Sequence, residues 1–218
     1  MRLRLAAIAL IVLPFIFPAP APAGTTEEIL ATIEAIDPSV ETYRADVEFT
    51  VGLHWPVALH KTLRGDTYFK RPSKMEVVFA DLPAYARQFR NVYVGLGVPS
   101  EWERKFEING IRTPQGQERL LMIPRKEGRL RTVAVSLDAA SHLPAHVLWT
   151  YRDGTIDMEQ QIASREGHFV IVAQHAEIRL PGVSAWIRSK VDHYRFNVPV
   201  DDAIFTKKAE PSQTALAW

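Results

Sequence analysis

The polar and apolar positions of this chain change period once, near residue 42, and the change separates one short helix from a long succession of strands. Thr25-Thr-Glu-Glu28 has the Ser/Thr-x-x-Glu spacing in which a hydroxyl and a carboxylate satisfy each other's orphan amides at a helix start. Ile29, Leu30, Ile33 and Ile36 follow on one helical face, and Asp37-Pro38 is the expected stop after about three turns. From Thr42 the period is two: Tyr43, Ala45, Val47, Phe49, Val51 and Leu53 alternate with polar neighbours, which predicts a half-buried strand. A second strand runs from Leu59 to Lys70, with Leu63, Thr67 and Phe69 on one side. A third places Met75, Val77 and Phe79 together. Between them, Lys70-Arg71-Pro72 forms a corner at which proline holds Arg71 extended.

Residues 81–103 break the strand rhythm with Pro83, Pro99, two glycines and helix-like pieces at 84–91 and 100–105. Their apolar side chains, among them Tyr85, Phe89, Tyr93 and Trp102, fit either a lid or a plug for the core. Strand rhythm returns at 106–111, 119–124, 130–137, 145–152, 155–163, 168–180 and 183–196, for a total of about ten strands, nearly all antiparallel. Gly128, Gly154, Gly167 and Gly182 mark the turns as positions where positive φ is wanted.

A sheet of about ten strands with one apolar face must curl, close or be covered. One helix and a short mixed segment are too small to coat it flat. The expected fold is therefore mainly β with short helices: a strongly curved antiparallel sheet, an open half-barrel, covered by the N-terminal helix and a helical flap. Its concave face either holds a filled core or keeps a hollow for an elongated hydrophobe, and periodicity leaves both open.

The N-terminus adds an address. Arg2 and Arg4, the apolar run 5–17 and the small-residue stretch ending Ala21-Pro-Ala23 make a secretory signal peptide, cleaved near Ala23. The expected organisation is a signal peptide at 1–23, a single domain at 24–206 and a flexible tail at 207–218. Loss of the two arginines takes the formal charge of +1 to about −1. That balance argues against nucleic-acid binding, although Lys70, Arg71 and Lys74 form a local basic cluster. The chain has no cysteine, which excludes a thiol nucleophile, a thiolate metal site and a lipidated N-terminal cysteine.

Enzymatic motifs are weak. Gly182-Val-Ser184-Ala-Trp lacks the final glycine of a nucleophile elbow, so Ser184 reads as a turn serine. The seven histidines do not fall at zinc-ligand spacings, and His142 and His146 straddle Pro144 in a strand connection. Asp201 and Asp202 are adjacent and point apart on an extended chain. No catalytic residue, metal site or cofactor is expected.

Gly65-Asp-Thr-Tyr-Phe-Lys-Arg-Pro72, followed by Met75-Glu-Val-Val-Phe79, resembles the strand pair of the LolA-like outer-membrane lipoprotein-sorting family. Leu137-Asp138, Leu143-Pro144 and Asp153-Gly154 are similar to that family's hairpin succession, and Phe196-Asn-Val-Pro199 through Phe205 to its closing segment. Residues 81–103 depart from the pattern, since the family's Asp-Gly-x-x-Trp-x-Tyr hairpin is missing. The resemblance implies an incomplete antiparallel barrel lidded by helices, no cofactor, and a covered hollow for lipid acyl chains. It places the family's lid-coupling arginine on Arg71. Strand parity offers Val47, Phe49, Val51, Met75, Val77, Val135, Trp149 and Ile187 as lining residues. The implied protein is a periplasmic, monomeric, non-enzymatic carrier of lipoprotein or lipid acyl chains, with inner- and outer-membrane transfer partners and no stable membrane insertion. An envelope sensor or scaffold that binds another protein is the alternative, and a small lipid hydrolase ranks third.

Overall fold

The computed structural model describes residues 25–55, 58–72, 74–79, 99–113 and 116–206. The signal peptide expected at 1–23, the tail expected at 207–218 and most of the segment read as a lid, 81–98, lie outside the described residues.

Thr25 caps helix α1 (Thr26–Glu34) in the anticipated way. Its Oγ1 accepts from the Glu28 amide at 3.2 Å, and Glu28 Oε2 accepts from the Thr25 amide at 3.0 Å. Such a cap stabilises a helix by about 1 kcal/mol. The helix buries Ile29, Leu30 and Ile33 and ends at Glu34, earlier than Asp37-Pro38 suggested. Asp37, at φ 46°, then turns the chain in the left-handed region that aspartate tolerates better than most residues.

Among the described residues, ten strands form one antiparallel sheet. They are β1 (Thr42–Trp55), β2 (Leu59–Lys70), β3 (Lys74–Phe79), β4 (Phe106–Arg112), β5 (Glu118–Pro124), β6 (Leu130–Leu137), β7 (Pro144–Tyr151), β8 (Gly154–Arg165), β9 (His168–Leu180) and β10 (Val183–Phe196). Their order is β3-β2-β1-β10-β9-β8-β7-β6-β5-β4. The topology is a meander except that β10 returns to pair with β1, with Val51 opposite Ile187 and Phe49 opposite Ser189. This closing pair places the first and last strands of the chain side by side in the sheet's interior, third and fourth from the β3 edge. Two further helices among the described residues are short: α2 (Pro99–Lys105) and α3 (Ala203–Thr206).

One apolar cluster draws side chains from every strand. Phe49, Leu63, Met122, Val133, Trp149, Ile156, Ile178 and Ile187 are buried in it, with Val77, Phe79 and Ile108 packed at its margins. The α1 stripe covers part of this cluster, and Trp102 of α2 inserts at 2 % exposure. Trp102 thus belongs to the packed cluster, and it also borders the cavity described below. At the β4 edge, Thr26 Oγ1 accepts from the Gly110 amide at 2.8 Å, so α1 satisfies a backbone donor the sheet leaves free.

The turn glycines need one correction. Gly167 and Gly182 have positive φ, at 87° and 74°, but Gly128 and Gly154 are absent from that region. At Gly154 the reason for glycine is steric, because a Cβ there would lie 2.1 Å from the carbonyl oxygen of Arg179.

Candidate functional site

Beyond the filled cluster, the same sheet face borders a cavity of about 580 Å³. Its walls come from β1, β2, β3, β7, β8, β9 and β10, from Trp102, and from the segment after α1. That volume falls within the usual range of ligand cavities. Val47, Phe49, Met75 and Val77 line it, as does Arg71. Val51, Val135, Trp149 and Ile187 lie instead in the filled cluster, each no more than 3 % exposed. Parity placed all eight on the inner face. Phe49 belongs to both cavity wall and cluster, and what lies above the other positions separated them.

Arg71 closes one end of the hollow. Its Nε donates to the Val40 carbonyl at 3.1 Å, and its Nη2 donates to the carbonyls of Asp37 at 2.7 Å and Ile36 at 3.4 Å. These acceptors belong to a strap, residues 36–41, that follows α1 and supplies Ile36, Asp37 and Val40 to the cavity wall. Carbonyls just beyond a helix C-terminus lack intrahelical donors and favour a cation, so a planar guanidinium suits this position. The Arg71 amide also donates to the Glu41 carbonyl at 2.9 Å. The Arg71-Pro72 peptide bond is cis.

Two further residues hold the strap. His168 Nδ1 hydrogen-bonds Asp37 Oδ2, and the Ser39 hydroxyl donates to Asp37 Oδ1 at 2.5 Å. Burial opposes the Asp37 charge, but the bonds from Ser39 and His168 outweigh it and hold this carboxyl below its ordinary value. Asn197 donates through Nδ2 to the Ser39 carbonyl at 3.0 Å and accepts the Glu41 amide at 2.9 Å. The strap is thus tied to the β2–β3 corner, to the start of β9 and to the end of β10. Asn197 stood within the closing segment that the sequence singled out, but its role depends on contacts 156 and 158 residues away.

An aromatic band forms the wall at this end. Tyr43 stacks on Phe69 with centroids 5.2 Å apart and meets Tyr194 edge-on at 5.4 Å. Tyr194 stacks on Phe196, which His168 approaches to 4.4 Å. The Tyr194 hydroxyl donates to the Ile171 carbonyl at 2.6 Å, so its polar end is satisfied. Burial pushes the Tyr43 phenol up to about 12. Neither tyrosine is ionised at neutral pH.

The basic cluster noted in the sequence divides. Lys70 and Lys74 both pair with Asp202, at 3.0 and 2.8 Å, tying β2 and β3 to the C-terminal segment, whereas Arg71 turns to the strap. On the opposite sheet face, a second depression of about 580 Å³ is walled by polar and charged side chains including Glu48, Thr50, Glu159, Arg188 and Lys190. Those walls do not suit hydrocarbon. Besides His168, four histidines pair with carboxylates: His142 with Glu118, His146 with Asp157, His175 with Glu177 and His193 with Asp46. Among the described residues, no three His, Asp or Glu side chains converge as a metal site. Ser184 lies in the β10 ladder opposite Arg179.

The geometry defines a mainly β protein with an apolar cavity under a tied strap, and solved structures share its architecture. A putative outer membrane lipoprotein-sorting protein domain from Vibrio parahaemolyticus superimposes with a TM-score of 0.58 at 14% identity, covering 83% of this chain and 95% of that one. A LolA superfamily protein from Nitrosomonas europaea gives 0.52 at 10% identity, with 84% and 98% covered. A DUF1329 family protein from Desulfovibrio piger gives 0.59 at 10% identity, with 82% and 95% covered. No family model and no curated protein matches by sequence. At these identities the likeness is one of fold, and it extends over most of the chain.

Proposed function

We propose that this chain is an exported, non-enzymatic carrier that shelters the acyl chains of a lipoprotein or lipid in the cavity beneath the strap. In this reading residues 1–23 are removed on export, the monomer works in the periplasm, and membrane partners load and unload it. The observation that carries the proposal is the apolar hollow itself, bounded by Val47, Phe49, Met75 and Val77 and closed at one end by the Arg71-held strap. A flat ten-stranded sheet would span about 43 Å between its edge strands. The likeness of fold to a LolA superfamily structure supports a curved half-barrel instead. Arg71 would couple strap position to cargo, because displacing residues 36–41 breaks all three of its side-chain hydrogen bonds.

Native mass spectrometry of protein expressed with its leader tests this. A co-purified lipid mass is expected. A protein that emerges empty and binds no fatty-acyl probe would sink the carrier reading. One observation favours the sensor or scaffold alternative: Ile111, Leu121 and Ile123, at 58, 39 and 40 % exposure, share the outer face of β4 and β5. A cross-linked protein complex that forms equally well with and without lipid would favour that reading.

A further inference from the structure

The cavity wall is not uniformly apolar. Ser189 on β10 stands directly opposite Gln174 on β9, which stands directly opposite Gln160 on β8. All three border the cavity, in line with Phe49 on β1. Ser189 is 4 % exposed, and its hydroxyl donates to Gln174 Oε1 at 3.0 Å. That bond uses one end of the Gln174 amide and leaves its NH2 group, with two donors, unpaired among the described residues. The Gln160 side chain has no hydrogen-bond partner among them either. Two spare amides therefore stand side by side on a wall whose apolar members include Phe49, Val147, Met158 and Val191.

A second polar group marks the same cavity. Thr67, on β2, is 5 % exposed, borders the hollow, and keeps an Oγ1 with no hydrogen-bond partner. It lies about 13 Å along the strands from the Ser189 row, four residues from Leu63, which faces Phe49. A cavity made only for hydrocarbon gains nothing from these groups, because an alkyl chain would strip water from them and return no hydrogen bond.

We propose that the Ser189-Gln174-Gln160 row is the docking point for an acyl carbonyl, so that the cargo is an ester-linked diacyl lipid and not a bare hydrocarbon chain. The inference rests on the carrier reading and narrows its cargo class. The Gln160 and Gln174 amide groups donate to the ester oxygens at the head of the chains. Ser189 orients the Gln174 amide by occupying its oxygen. The chains then run along the apolar walls on either side of the row.

The test uses two lipids that differ only in those carbonyls: diacyl phosphatidylglycerol and its dialkyl ether analogue, each titrated into the delipidated exported chain. Two added hydrogen bonds predict about tenfold tighter binding of the ester lipid. The double variant Gln160→Leu/Gln174→Leu is expected to bring that ratio to about one while still binding the ether lipid. Equal affinities in the wild type overturn the proposal, and that measurement needs no variant to fold. Survival of the full ratio in the double variant overturns it too, because the carbonyls are then read elsewhere. If neither lipid binds, the carrier reading falls as well, whereas equal binding of both leaves it standing. A diacylglyceryl lipopeptide carrying the same esters identifies the source. Tighter binding than phosphatidylglycerol points to lipoprotein, and equal binding points to phospholipid; both results keep the docking point.

Discussion

The sheet's inner face has two halves that alternate identically in sequence and behave differently in space. Around Trp149, Val133 and Ile178 every inward side chain meets another, and α1 seals the surface with Ile29, Leu30 and Ile33. Around Val47, Met75 and Val77 the inward side chains face a hollow, and the cover is a strap held by polar contacts. The filled half supplies stability through dispersion and burial. The hollow half forgoes contacts on one side, a loss tolerable only where the rest of the domain is well packed. Its cover is also tied by polar groups that can be exchanged for others, as the proposed carriage of a guest would require.

The largest test of this contrast is Trp149→Ala, which opens a void in the filled half and is expected to cost about 3–5 kcal/mol in chemical denaturation. Met75→Ala, at the hollow, should cost about 1 kcal/mol, since fewer partner atoms are lost. Equal losses would mean that the two halves are packed alike. Next in size is Arg71→Leu, expected to lower stability by about 1.5–3 kcal/mol while preserving the β circular dichroism signal. Stopped-flow exchange of a fluorescent acyl probe should be altered in this variant. Wild-type kinetics there would remove Arg71 from any coupling role.

A smaller effect of opposite sign is expected at Thr67. Thr67→Val replaces an unpaired buried hydroxyl with a methyl of similar shape and should stabilise the empty protein by about 1 kcal/mol. A destabilised variant would show that the hydroxyl has a structural partner. The smallest effect concerns pH. The Asp37 carboxyl is held below its ordinary value of 3.8, so its contribution is fully present above that value. It fades as pH falls through the lower, folded-state value. Denaturation midpoints of the wild type and Asp37→Asn should therefore differ at neutral pH and converge in strong acid. A gap that widens on acidification would have the wrong sign for this linkage.

Much of the architecture was legible in the chain. The bounds of β6, β9 and β10 follow from alternation and from the turn glycines, and the Thr25 capping box from four consecutive residues. These features depend on neighbours within a few positions, where periodicity and local hydrogen bonding are decisive. Arg71 stood out because proline follows it. The residues it grips did not, since Ile36, Asp37 and Val40 contribute backbone carbonyls, which no side-chain pattern reveals. Asp37 itself read only as a helix stop, yet its carboxylate is where Ser39 and His168 meet. Gln160 and Gln174 carried a weak signal, as polar residues at inward parity that the turn and strand count passed over.

Val47 and Val51 show where sequence ends and tertiary structure begins. They lie on the same strand, on the same face, two turns of the pleat apart, and alternation alone sends both inward. Only the assembled chain decided that Val51 meets Ile187 beneath the helix-covered cluster while Val47 borders the hollow. Side-chain parity is a local property of an extended backbone, fixed by the geometry of each residue. Whether an inward position is filled or empty depends on what crosses above it. Here that is the α1 stripe over one half and a strap tied by Arg71, His168 and Asn197 over the other, contacts that join residues as far as 158 positions apart.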